Sequence, residues 1–195
     1  MIMKLQRESV MNPFRYFLFV VVMLLVWSSA NEATAQSSSR PSGFVNLEEL
    51  GDLDAFFDEA PVVEVNVEGG LMKLVAAASR SEDPELADLL LRLSGVYVRG
   101  YVLEPNSLND FDKRASRMGE RLIDDGWVVV VRFREVDEVV HMYVRMSGDN
   151  VDGMVVMSVE PGQQQAMFVN IVGDIDPEQI GRIGQKFRIP GMDGQ

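Results

Sequence analysis

Between Trp127 and Gly173 the chain carries four successive runs of β-branched, aromatic and methionine side chains, separated by short acidic or glycine-containing breaks. Such a stretch has few ways to fold. Period-two alternation lets each strand bury a face, and short breaks make strands that are neighbours in sequence neighbours in a sheet. Trp127-Val-Val-Val-Val-Arg-Phe-Arg134 and Val139-Val-His-Met-Tyr-Val-Arg-Met146 flank the break Glu135 to Glu138, which predicts a hairpin. With that break as the loop, Phe133 faces Val140, Val131 faces Met142, Val129 faces Val144 and Trp127 faces Met146. One side is then wholly apolar. The other pairs Arg132 with His141, Val130 with Tyr143 and Val128 with Arg145, and is expected to be the wetter side, because a slip of one residue would bury arginine.

The second hairpin is expected from about Val151 to Glu160, a turn at Pro161-Gly162, and a return from Gln163 to Val172. Opposing Glu160 to Gln163 sets Val156 against Met167 and Met154 against Val169 on one face. Val155 then meets Phe168, and Met157 meets Ala166, on the other. Both faces of this half are apolar, so each needs a cover from the chain itself or from a partner.

The N-terminus follows the plan of a secretory signal peptide. A charged stretch ends at Arg15, Tyr16 to Trp27 carries no charge, and the small-residue site Ala33-Thr34-Ala35 places cleavage between Ala35 and Gln36. The apolar core is shorter than the roughly 20 residues of a spanning helix, which favours cleavage over an uncleaved anchor. Met11 offers an alternative start. The expected product is periplasmic or secreted. The expected organisation is a signal peptide over residues 1–35, a flexible serine-rich lead-in over 36–45, and a single domain over 46–191.

The formal net charge is -12, and the N-terminal segment removes Lys4, Arg7 and Arg15 against Glu8 and Glu32, so the processed chain is one unit more acidic. Nucleic acid and anionic membranes both select cationic surfaces and are disfavoured as partners. With no cysteine in the sequence, disulfides, zinc-thiolate sites and thiol nucleophiles are excluded. An exported domain of this kind depends on its apolar core.

Ahead of the meander, Asn46 with Glu49 has capping-box spacing, and Leu47, Leu50, Leu53 and Phe57 form a helical stripe ending near Ala60-Pro61. Val62 to Val67 alternates as a strand with one wet face. Leu71 to Ala78 and a segment opened by Asp83-Pro84 read as helices, the latter with Leu86, Leu89, Leu90 and Leu93 inward and Gly95 closing it. Val96 to Leu103 is expected as a strand with a bulge at Gly100. Ser107 with Asp110 opens the longest helix, striped by Leu108, Phe111, Ala115, Met118 and Leu122 and stopped at Gly126. After the meander, Asp176-Pro177 opens a closing helix with Ile180, Ile183 and Phe187 inward, where Gly181 and Gly184 permit close approach. Strands that come singly between helices and then four together predict an α+β domain: an antiparallel meander packed on one face by amphipathic helices.

The chemistry is sparse. His141 is the sole histidine, set beside Arg132 and Arg145 with Tyr143 two residues on. A general base could sit there, yet no serine, threonine or aspartate nearby in sequence supplies a nucleophile or an orienting partner, so an ordinary surface histidine is the favoured reading. Gly148-Asp-Asn-Val-Asp-Gly153 has oxygen ligands suited to calcium, but the alternate-position spacing and the distal glutamate are missing, and a hairpin turn accounts for it. Asp174-Ile-Asp176 is better read as a helix cap. Gly181-Arg-Ile-Gly184 and Gly69-Gly70 lack the context of nucleotide or phosphate loops. No catalytic residue, metal site or cofactor is therefore expected. The candidate binding residues are Arg132, His141, Tyr143 and Arg145 on one side and the apolar Val155 and Phe168, with Val159, on the sheet. The partner would be an envelope protein or small ligand, and oligomers could form through the sheet face. The alternative is a small-ligand carrier or enzyme with a pocket near His141 and Tyr143.

The signal-like N-terminus, the early leucine-rich helix, Tyr143-Val-Arg-Met-Ser-Gly-Asp149, the hydrophobic hairpin, and Val169-Asn-Ile-Val-Gly-Asp-Ile-Asp176 ahead of a closing helix and Ile189-Pro190 occur together in this chain. This combination resembles the exported bacterial domain-of-unknown-function family numbered four-two-five-two, over nearly all of the chain after residue 35. No catalytic residue is established for that family, so the resemblance carries none over. Genes of the family often lie near those of extracytoplasmic sigma factors and their membrane-bound anti-sigma partners. The resemblance thus implies an envelope role in signalling or stress sensing.

Overall fold

The structure is a computed structural model that describes residues 40–176, apart from residues 58, 160, 161 and 163. The signal segment, its cleavage point, the tip of the second hairpin and the closing helix expected after Asp176 lie outside the described residues.

Two short helices come first, α1 (Leu47–Gly51) and α2 (Leu53–Phe57). The single expected helix is broken at Asp52, which adopts a left-handed φ of 48°, while Asn46 caps α1 by accepting from the Glu49 backbone N–H. Strand β1 (Val63–Glu68) follows, with Val65 and Val67 inward. Helices α3 (Gly70–Ser79) and α4 (Pro84–Arg92) form a helical hairpin, and the Asp83 carboxylate caps α4 at the Leu86 N–H. Strand β2 (Leu93–Val102) begins at once, ahead of the expected stop at Gly95. Gly100 pairs regularly there, and the irregularity lies between Leu93 and Gly95. Helix α5 (Leu108–Asp124) buries the predicted Phe111, Ala115, Met118 and Leu122. It ends at Gly126, whose φ of +88° suits glycine. The meander is β3 (Val128–Arg134), β4 (Val139–Ser147), β5 (Asn150–Val159) and β6 (Gln165–Ile175).

All six strands join one antiparallel sheet in the order β1-β2-β6-β5-β4-β3. The α+β class is as expected. The helices, however, occupy both faces. One face, carrying Tyr101, Tyr143, Val155, Met157 and Phe168, packs against α5, α1 and α2 through Phe111, Met118, Leu122, Leu47 and Leu53. The reverse face of β1, β2 and β6 packs Val65, Val67, Val98 and Met167 against Met72, Val75 and Ala76 of α3 and Leu90 of α4. A third cluster on the reverse face gathers Met142, Val144, Val151, Met154 and Ile175. Helices take both sides of β6 because it is apolar at odd and even positions alike, Phe168 facing α5 and Met167 facing α3 and α4, so neither side tolerates water.

The first hairpin keeps the predicted register from its loop to Val131: Phe133 faces Val140, Val131 faces Met142 and Arg132 faces His141. A bulge between Val129 and Val131 then sets Val129 opposite Tyr143 and Val128 opposite Val144. Trp127 lies before the strand, buried in the α5 core rather than opposite Met146. The second hairpin is shifted by two residues, with Val156 opposite Val169 and Met157 opposite Phe168. A shift of two preserves the period, so Met154 to Val159 and Ala166 to Val169 stay on their predicted faces, while a bulge between Val151 and Gly153 turns Val151 to the reverse face. The turn at Gly148 is a two-residue hairpin loop between Ser147 and Asn150, with glycine at φ +62° in its first position.

The packed domain starts ahead of Asn46. Gly43 is buried, Phe44 meets Tyr97 edge to face at 4.9 Å, and the Val45 N–H donates to Asn170. Residues 40–45, expected as part of a flexible lead-in, are therefore part of the fold.

Candidate functional site

The face of β4 that carries His141 and Tyr143 was expected to be wet. It is the main core face. His141 is 3 % exposed and Tyr143 is fully buried, because the long connection from β2 to β3 runs through α5, which crosses this face. The crossing brings in a partner that sequence proximity did not supply. Asp112, in the first turns of α5, places Oδ1 2.9 Å from His141 Nε2. The other ring nitrogen, Nδ1, lies 3.4 Å from the Tyr143 hydroxyl, and Arg132 Nε donates to that hydroxyl at 3.2 Å.

Arg134 completes the chain by donating to Asp112 Oδ2 and to Asn109 Oδ1. A consistent assignment has Arg132 donating to Tyr143, Tyr143 donating to Nδ1, and the Nε2 proton donated to Asp112, which requires neutral histidine in the Nε2–H tautomer. Burial by itself pushes the Asp112 carboxyl up, but hydrogen bonds from His141 and Arg134 and the adjacent Arg134 charge outweigh it, and the net direction is downward. Asp112 is an ionised hub joining α5 to two strands.

Gly119 explains how the helix comes so close. A Cβ there would sit 1.8 Å from the Tyr143 hydroxyl oxygen, so only glycine lets α5 lie on this tyrosine. A glycine in mid-helix costs about 1 kcal/mol of propensity. That cost is the sequence signal of close approach at this position.

A His–Asp pair at this distance is the arrangement that orients a general base. Here the base has no free atom to work with. Both ring nitrogens are engaged within the protein, and no group of three or more metal-ligating side chains occurs among the described residues. The cluster holds helix to sheet.

The other predicted residues separate. Arg145 donates to the carbonyl of Asp125 at the end of α5, at 3.0 Å. Val155 and Phe168 are fully buried beneath the helices, so the apolar sheet face proposed as a docking surface is core. Phe168 stands among Phe57, Tyr101 and Phe111, with ring centroids 5.7 to 6.0 Å away. Of the six candidates, Arg132, His141 and Tyr143 come together, Arg145 sits beside the helix end, and the apolar pair serves packing.

Sequence reasoning missed Asp112, Gly119 and Asn170. Asn170 is fully buried. Its Oδ1 accepts from the Val45 N–H at 2.9 Å, and its Nδ2 donates to the carbonyls of Gly43 at 3.0 Å and Met154 at 3.2 Å. Its position, two residues from Phe168 and from Val172 in an alternating strand, was the available signal: a polar residue on a core parity needs partners.

What solvent does meet is a corner of the sheet. Val128, Val129 and Val130 on β3, Ile123 near the end of α5 and Met146 on β4 are between 38 % and 52 % exposed. The bulge disorders the pairing of β3 here, and the adjoining helix has ended. Large apolar side chains gathered at one corner are the mark of an interaction surface.

Among curated proteins, none matches the sequence. A solved structure, the extracellular domain of PknH from Mycobacterium tuberculosis, aligns over 80 % of this chain and 96 % of that one at 12 % identity, with a TM-score of 0.23, a likeness too slight to bear on fold or function. The model of the family described as "Domain of unknown function (DUF4252)" matches residues 56–183, and the chain belongs to that family.

Proposed function

We propose that this protein is a non-catalytic interaction module of the bacterial envelope, exported by its N-terminal segment, which binds a protein partner at the Val128–Val130 corner. One observation carries the reading: three successive valines of β3, Val128, Val129 and Val130, stand exposed at that corner, while the sole imidazole has both nitrogens committed inside the fold. No described helix is long and apolar enough to cross a membrane, which is compatible with export. The family resemblance links such domains to extracytoplasmic signalling, and an apolar docking corner on an acidic body suits a protein partner better than an anionic lipid.

The test is to purify the chain from its own envelope and compare Val128→Asp with His141→Ala by native mass spectrometry, circular dichroism and cellular phenotype. Val128→Asp should abolish any co-purifying partner and the phenotype while leaving the fold unchanged. Loss of phenotype in His141→Ala with an intact fold, together with a normal Val128→Asp, would move the function to a pocket at His141 and Tyr143.

A further inference from the structure

The two edges of the sheet are complementary to each other. Among the described residues β1 pairs only with β2, and β3 only with β4, so each leaves one side unpaired. The charges of β1 are Glu64 and Glu68, with no basic residue, and those of β3 are Arg132 and Arg134, with no acidic one. Both sets stand on the same face. Glu64 is opposite Arg99, which is opposite Phe168, and Arg132 is opposite His141, on the α5 side in each case.

Direction agrees as well. Six strands alternating in sense leave β1 and β3 antiparallel to each other, so a second copy in the same orientation can extend the sheet without reversing its pattern.

We propose that the chain assembles head to tail, with the regular half of β3, Val131 to Arg134, adding as a strand to β1 of a second copy. In the matching register Arg134 lies opposite Glu64 of the second copy, Arg132 opposite its Asn66, Phe133 opposite its Val65 and Val131 opposite its Val67. On the α5 face Arg134 meets Glu64 and Arg132 meets the Asn66 amide, Arg134 and Glu64 adding to the bonds they make to Asp112 and Arg99 within their own chains, and apolar meets apolar on the reverse. The complementary halves are regular strand, since the bulge lies N-terminal to Val131. Apolar surface flanks the β1 edge: Leu71 and Leu74 are exposed on α3, which packs against β1. Neither edge strand contains the proline or lysine that guards isolated edges. A heterologous interface of this kind closes into a ring or continues as a filament, whereas β3 pairing with β3 would stop at a dimer. The site is distinct from the Val128–Val130 corner and does not require that corner to bind anything.

The lack of native cysteine permits a direct test. Arg132→Cys and Asn66→Cys are made in separate full-length chains, checked for native circular dichroism, and oxidised alone and mixed. The unaltered chain is sedimented over a wide concentration range. The expected result is a disulfide dimer in the mixture at several times the yield of either variant alone, and a weight-average mass for the unaltered chain that climbs past that of a dimer. Equal or greater yield in one variant alone, absence of any disulfide, or a monomer mass at all concentrations overturns the proposal. Should Arg132→Cys lose its fold, Arg134→Cys with Glu64→Cys reads the same register.

Discussion

His141 and Asn170 are the polar residues buried on the main core face among those described, and they hold different things by different means. Asn170 is neutral and bonds three backbone groups, from Gly43, Val45 and Met154, at fixed geometry. It stitches the segment before α1 to β5 and β6. His141 bonds the side chains of Asp112 and Tyr143, to which Arg134 and Arg132 donate in turn, and this network ties α5 to β3 and β4 largely through charge. The amide clamp is indifferent to pH over the ordinary range, while the ionic one depends on an ionised carboxylate. One sheet face thus carries a permanent fastening at the entry of the chain and a conditional one at its crossover.

The sharpest way to break this contrast is Asn170→Ala. Three hydrogen bonds are lost and buried backbone groups are stranded, so unfolding in denaturant should show a loss of about 3 kcal/mol or more, with the same loss at pH 5 and pH 8. A strong pH dependence of that loss would show that the two clamps are coupled. Gly119→Ala comes next. The added methyl collides with Tyr143 and must push the helix away, costing about 1–3 kcal/mol despite the gain in helix propensity. Near-ultraviolet circular dichroism should change because a buried tyrosine is displaced.

Asp112→Asn should cost about 1–2 kcal/mol at neutral pH. The folded carboxyl titrates below its unfolded value of about 3.9, so its contribution is complete above that value and is lost as pH falls through the lowered folded one. The stability difference between the unaltered chain and Asp112→Asn should therefore be constant above about pH 5 and close in stronger acid. A gap that persists at the lowest pH would assign the effect to packing. Smallest of all, Val130→Thr at the exposed corner should change stability by no more than about 0.5 kcal/mol. A larger loss would mean the corner is covered in solution.

Much of the fold was legible because it is local. Strand and helix periods, the Asp83-Pro84 start, the Gly126 stop and the alternation of Val65 and Val67 each depend on residues a few positions apart. The faces of the second hairpin survived a register error because the error was two residues. Less legible were places where an exception is local but its cause is remote. The Val130 bulge left the alternation of β3 intact in sequence while moving Trp127 and Val128 from their expected partners. The break at Asp52 split a stripe that otherwise satisfied helical spacing.

The candidate site shows the same division at larger range. The sequence by itself determined that His141, Tyr143 and Arg132 would share a side, since period two is a property of any extended backbone. It did not determine whether that side was wet. That was decided by α5, whose path from β2, next to one edge of the sheet, to β3 at the opposite edge carries Asp112 and Gly119 over β4, 29 residues away along the chain in the case of Asp112 and His141. Local periodicity says which residues point together. Only the packing of distant elements settles what they point at, because burial depends on everything that arrives to exclude water.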